Sequence, residues 1–89
     1  MRVHWRSSAL ADLGRIHEWL STLPDADPDR TICRIEDAAN LLGVRDTGRP
    51  SRATGRREKS VPNAPYVIVF AVEGKRLEII AVFHMNEER

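Results

Sequence analysis

Eighty-nine residues, 42% of them hydrophobic, leave room for one core, so a single domain over residues 1–89 is expected. That content excludes a disordered chain, and the 6% aromatic share predicts a core of Leu, Ile, Val and Ala. A net charge of +1, a lone Cys33 and no long apolar run exclude a disulfide framework, a cysteine-rich metal site and a membrane span.

Met1 to Arg6 lacks the apolar segment of a secretory signal, so a cytoplasmic location without a membrane partner is expected. From Arg2 to Arg6, Val3 and Trp5 alternate with Arg2, His4 and Arg6, the period of a half-buried strand. Ser7 or Ser8 is placed to cap a following helix. Ala9, Leu13, Ile16, Leu20 and Leu23 recur at helical spacing, and Pro24 ends the stripe. Trp19 flanks that stripe, with packing as its expected role. Asp27-Pro28-Asp29 then restarts a helix, with Asp as N-cap, Pro at the first helical position and an acid in the first turn. Ile32, Ile35, Ala39 and Leu42 form its stripe, Ala38 and Leu41 widen it, and Gly43 sits where a left-handed C-cap is wanted. Cys33, within this helix, reads as a small buried hydrophobe.

Residues 44–55 carry Gly48, Pro50 and Gly55 among polar side chains and read as a loop. A short basic strand follows at Arg56-Arg57-Glu58-Lys59. A Pro62-Asn63-Ala64-Pro65 turn then leads to a strand from Tyr66 to Val72 and a hairpin partner from Leu77 to His84. The order strand, helix, helix, strand, strand, strand predicts a two-layer α+β domain, β-α-α-β-β-β. Its helical hairpin packs on one face of a mostly antiparallel sheet.

Charge is unevenly spread. Residues 1–44 hold five arginines against seven acids, a balance of −2, and residues 60–89 stand at −1. Residues 45–59 hold Arg45, Arg49, Arg52, Arg56, Arg57 and Lys59 against Asp46 and Glu58, a balance of +4. That segment points to an anionic partner. It also fits an edge strand blunted by charge. Strict alternation places Tyr66, Ile68 and Phe70 on one face, with Val67, Val69 and Ala71 on the other. In the last strand it sets Leu77, Ile79, Ala81 and Phe83 opposite Glu78, Ile80, Val82 and His84. Two helices cover only one face, so apolar side chains are left on the second, an expected partner site. His4, His17 and His84 show no metal-ligand spacing, no catalytic triad is legible, and no phosphate loop is present. No metal and no cofactor are expected.

The pattern Val3-x-Trp5, Ala9-x-x-Asp12-Leu13-x-x-Ile16, Gly48-Arg49-Pro50, Arg57-Glu58, Pro65-Tyr66-Val67-Ile68 and Glu78-Ile79-Ile80-x-Val82-x-His84 resembles the RelE/ParE toxins. The match spans residues 1–84. It implies a cytoplasmic bacterial toxin of a type II toxin-antitoxin system, with a cognate antitoxin encoded beside it. Family antitoxins wrap the toxin with a helix and an extended tail. The resemblance therefore suggests Trp19, Val67, Val69, Ile80 and Val82 as antitoxin contacts. RelE-like members are ribosome-dependent mRNA endonucleases that need no metal. By that analogy Arg57 would clamp phosphate, His84 would act as acid or base, and Arg49, Arg52, Arg56 and Lys59 would hold the RNA backbone. Such nucleases place an aromatic ring just past the last strand. Here Met85-Asn86-Glu87-Glu88-Arg89 supplies none. The expectation therefore falls on the ParE-like branch, which poisons DNA gyrase. A ribosome-dependent endonuclease and an inactive toxin-fold binding module are the alternatives.

Overall fold

The computed structural model describes residues 1–52 and 55–87. In chain order come β1 (Arg2–Trp5), α1 (Ser7–Leu20), α2 (Pro28–Val44), β2 (Arg49–Pro50), β3 (Arg57–Ser60), β4 (Tyr66–Glu73) and β5 (Arg76–His84). The strands form one sheet in the order β1-β5-β4-β3-β2. β1 runs parallel to β5, and the other neighbours are antiparallel. Both helices contribute to a core on one face of the sheet, the α+β arrangement expected from the pattern. The two-residue strand β2 lies inside the segment read as a loop. Pairing with Glu58 and Arg57 of β3 makes it a strand, and two residues are too few to show a period.

α1 begins at Ser7 with Arg6 as its N-cap, and no side chain caps it. The expected serine cap is absent because Ser7 and Ser8 lie inside the helix, past the capping position at Arg6, and the Ser8 hydroxyl donates to the Ile80 carbonyl at 2.6 Å. The helix ends at Leu20, so Leu23 lies beyond it. Asp27 does cap α2, accepting the Arg30 amide at 3.1 Å, with Pro28 at the first position. Gly43 stays inside α2 instead of terminating it. A Cβ there would lie 2.7 Å from Val3 Cγ2 and 2.8 Å from the Met1 carbonyl oxygen, so the glycine serves close packing against β1. Leu41 does not widen the buried stripe; it is 65% exposed. Cys33 also faces outward.

The main core joins Ala9 and Leu13 of α1, Ile35, Ala39 and Leu42 of α2, and Ile68, Phe70, Leu77, Ile79 and Val82 of the sheet. Gly48 lets β2 pass over that core, because a Cβ there would reach 2.5 Å from the Phe70 ring. Asn63 takes a positive φ of 60° in the β3–β4 turn, a conformation asparagine tolerates.

A β-bulge decides the faces of β5. Val69 pairs with Ala81 but Phe70 pairs with Ile79, so Ile80 is the extra residue. Past the bulge the alternation inverts. Ala81 and Phe83 join Ile80 on the second face, while Val82 and His84 turn toward the helices. The assignment of Val82 to the second face is thus corrected.

The second face itself is less open than alternation implies. Val67, Val69, Ala71, Ile80 and Phe83 form a cluster with exposures of only 5% to 9%. Cross-strand pairs Val67–Phe83 and Val69–Ala81 shield one another. Arg49, Arg52, Glu58, Met85 and Glu87 ring the depression over Val67 and Phe83. Long charged side chains lay their aliphatic stems over such surface. The cluster is therefore a small second core with a charged rim.

Candidate functional site

The basic segment does not form one patch. Arg57 sits opposite Phe70 and Lys59 opposite Ile68, on the helix face of β3. Arg49 pairs with Glu58, itself opposite Val69, and Arg52 lines the depression by Phe83, so these two belong to the second face. Arg56 is exposed, just before β3. Alternation along a strand splits a run of cations between two surfaces.

Arg57 is occupied within the fold. Its Nε lies 3.0 Å from Asp46 Oδ2, and its Nη2 donates to the Gly48 carbonyl at 2.7 Å. The guanidinium therefore fixes the segment that leads into β2. Arg49 Nη2 lies 3.5 Å from Glu58 Oε1, and the Ser51 hydroxyl donates to the other Glu58 oxygen at 3.1 Å.

His84 pairs with Tyr66 at the far end of β4. Four residues of β4 and two strand spacings separate it from Arg57, about 16 Å between backbones. The two residues suggested for phosphate chemistry do not converge. His84 Nδ1 accepts the Asn86 amide at 3.1 Å, so a neutral ring carries its proton on Nε2. Tyr66 meets the His84 ring edge-on with centroids 5.4 Å apart, and Trp19 does so at 6.4 Å. Aromatic rings thus stand beside His84, supplied by α1 and β4 in place of the C-terminal tail. Sequence reading misses this because the three residues are far apart in the chain. Trp19 is 52% exposed, more than a packing role requires. With Asp12, Arg15, Ile16, Val82, Asn86 and Glu87, the three rings line a cleft of about 430 Å³. Burial raises the Tyr66 phenol above its usual value, and the Glu87 charge adds to the shift.

A further cluster carries no sequence signal because its members are spread over both ends of the chain. Glu78, with only 13% of its side chain exposed, lies 3.4 Å from Arg76, 3.8 Å from His4 and 3.9 Å from Arg6. Among the described residues no group of three or more side chains is arranged to hold a metal ion. No described helix is long and apolar enough to cross a membrane.

The family model for the ParE toxin of the type II toxin-antitoxin system parDE matches residues 3–89. This chain belongs to the ParE toxin family. As a ParE-family member of the RelE/ParE superfamily, it is the toxin component of a type II toxin-antitoxin system. It is 30% identical over 91 residues to Y4kP, a candidate toxin of Sinorhizobium fredii, covering 98% of this chain and 91% of that one. The chromosomal ParDE system of P. aeruginosa superposes with a TM-score of 0.84 at 25% identity, over 94% of this chain and 95% of the other. Two more distant structures share the fold. RelBE2 of Mycobacterium tuberculosis gives a TM-score of 0.64 at 20% identity, covering 93% of this chain and 88% of that one. The YoeB/ParE toxin of Agrobacterium tumefaciens gives 0.64 at 18% identity, covering 94% and 98%.

Proposed function

We propose that this ParE-family toxin acts in the cytoplasm by binding and poisoning DNA gyrase, and that a cognate antitoxin silences it. The observation that carries the target is the dispersal of the would-be nuclease residues. Cleavage at the 2′-hydroxyl needs a base, an acid and a cation around one phosphorus. Here Arg57 is bound to Asp46 and Gly48, and His84 stands at the opposite end of β4. A binding inhibitor needs no such convergence. The match to the parDE toxin over residues 3–89 supports the same reading, as does the likeness to a ParDE system. The antitoxin would cover half-exposed Trp19 on one face. On the other it would lie over the charged rim around the cluster of Val67, Val69 and Ile80, near exposed Met85.

Expression without the antitoxin tests the target. Growth arrest with a DNA-damage response and accumulated gyrase–DNA cleavage complexes is the expected result. Arrest with intact DNA and cleaved transcripts would overturn it in favour of a ribosome-dependent endonuclease. Co-expression with the neighbouring reading frame should restore growth and yield a stable complex.

A further inference from the structure

The cleft between α1 and the ends of β4 and β5 has a chemistry that selects its occupant. Ile16 and Val82 give it apolar walls, while Trp19, Tyr66 and His84 supply three rings. Among the described residues its charged lining is two carboxylates, Asp12 and Glu87, against the guanidinium of Arg15. Asp12 is already satisfied, since it binds Arg15 and accepts the Val82 amide. Glu87 uses Oε1 to accept the His84 backbone amide at 3.1 Å. Its charge reaches inward far enough to help raise the Tyr66 phenol. The cleft therefore joins aromatic surfaces to a local negative charge.

That combination disfavours two occupants. A phosphate would face Glu87, and among the described residues the guanidinium of the lining, Arg15, is already paired with Asp12. A wholly apolar anchor would strip water from the Glu87 carboxylate without replacing it. A cation on an aliphatic stem answers both features, because ring faces attract cations and the carboxylate pairs with them. We propose that this cleft is a receptor for an arginine or lysine side chain of the antitoxin. The stem lies against Ile16 and Val82, and the cationic head lies between Trp19 and Glu87. The assignment rests on the antitoxin reading for its partner, but the cleft's preference for a cation does not.

The test titrates the full chain with a capped Ala-Arg-Ala tripeptide and follows the indole N–H resonance of Trp19, with Trp5 as internal control. A saturable shift of Trp19 alone is expected, with Ala-Lys-Ala giving a similar response. Glu87→Gln keeps an acceptor for the His84 amide and should weaken binding by roughly three- to fivefold. Ala-norleucine-Ala, Ala-Glu-Ala and adenosine monophosphate should leave the resonance in place. No saturable shift with either basic peptide would overturn the proposal, as would an equal response to norleucine or a preference for the nucleotide. Unchanged antitoxin affinity of Glu87→Gln would remove this receptor while leaving the toxin–antitoxin pairing standing. An antitoxin that fails to bind the wild-type chain would instead remove that pairing, with the peptide titration still readable.

Discussion

The Asp12 carboxylate accepts the backbone amide of Val82 at 2.9 Å, joining α1 to β5 across 70 residues of sequence. β1 pairs with β5 only as far as Trp5 and Ile79, so among the described residues the remainder of that edge has no neighbouring strand. Ser8 and Asp12, one helical turn apart, take over where β1 stops. Ser8 binds the Ile80 carbonyl and Asp12 the Val82 amide. Buried backbone groups need partners, and a helix supplies them here in place of a strand.

Removing that acceptor should be costly. Asp12→Ala leaves the Val82 amide buried without a partner and is expected to destabilise the fold by about 1–3 kcal/mol. Asp12→Asn retains a carbonyl acceptor and should recover part of the loss. Urea unfolding of the two variants checks the order. Equal stability of Asp12→Ala and the wild-type chain would show that the bond carries no net weight.

Glycines in helices give a paired expectation of opposite sign. Gly14 lies in α1 where an added Cβ would meet nothing within 4 Å, so Gly14→Ala should stabilise by about 0.5–1 kcal/mol through helix propensity. Gly43 has the same helical backbone, but a Cβ would press on Val3 and Met1. Gly43→Ala should therefore destabilise by about 1–3 kcal/mol despite the same propensity gain. Thermal melts of both variants read the sign directly.

The contrast shows where sequence pattern stops. The apolar stripes of both helices, the Asp27 cap and the two long strands are legible because each is a local period or a local hydrogen bond. Gly43 reads as a helix stop because its neighbour Val3 is 40 positions away. Strict alternation puts Val82 on the wrong face because one bulged residue, Ile80, inverts all that follows it. The cleft of Trp19, Tyr66 and His84 and the basic side chains around Glu78 are products of tertiary pairing. Their spacing carries no local signal. The basic run at 45–59 is visible as composition, yet its division between two faces depends on strand register.

Arg57 and Asp46 should behave as one unit. Arg57→Ala removes an ion pair at 3.0 Å and a bond to the Gly48 carbonyl. With the Arg57 side chain 34% exposed, its loss is expected to cost about 1–2 kcal/mol. Asp46→Ala should cost about as much, because it removes the same ion pair together with the bond that Asp46 Oδ1 accepts from the Gly48 amide at 2.9 Å. The double variant should fall short of the sum, as contacting residues do. Strict additivity in urea melts would mean that the pair is not coupled.

Growth assays separate structure from catalysis at the other end of β4. On the gyrase reading His84 performs no proton transfer, so His84→Ala is expected to retain arrest and the DNA-damage response when expressed without antitoxin. Its ring contacts with Tyr66 and Trp19 predict a stability loss of about 0.5–1.5 kcal/mol. Complete loss of arrest in a folded, antitoxin-binding variant would instead point to RNA cleavage.

Tyr66 gives stability a defined alkaline limit. It is the chain's one tyrosine, so the near-ultraviolet absorbance of phenolate reports it alone. Its folded pKa is raised, first by burial and then by Glu87, which means the folded state holds this proton more tightly than the unfolded chain. Its contribution is thus fully present below the unfolded phenol value of about 10 and is lost as pH rises through the folded value. Stability should fall across that range more steeply in the wild-type chain than in Tyr66→Phe, whose core ring cannot ionise. Glu87→Gln removes only the electrostatic part and should move the phenolate titration partway back toward the ordinary value. An absorbance titration unchanged by Glu87→Gln would mean that burial alone sets the shift, and that the carboxylate does not project its charge into the cleft.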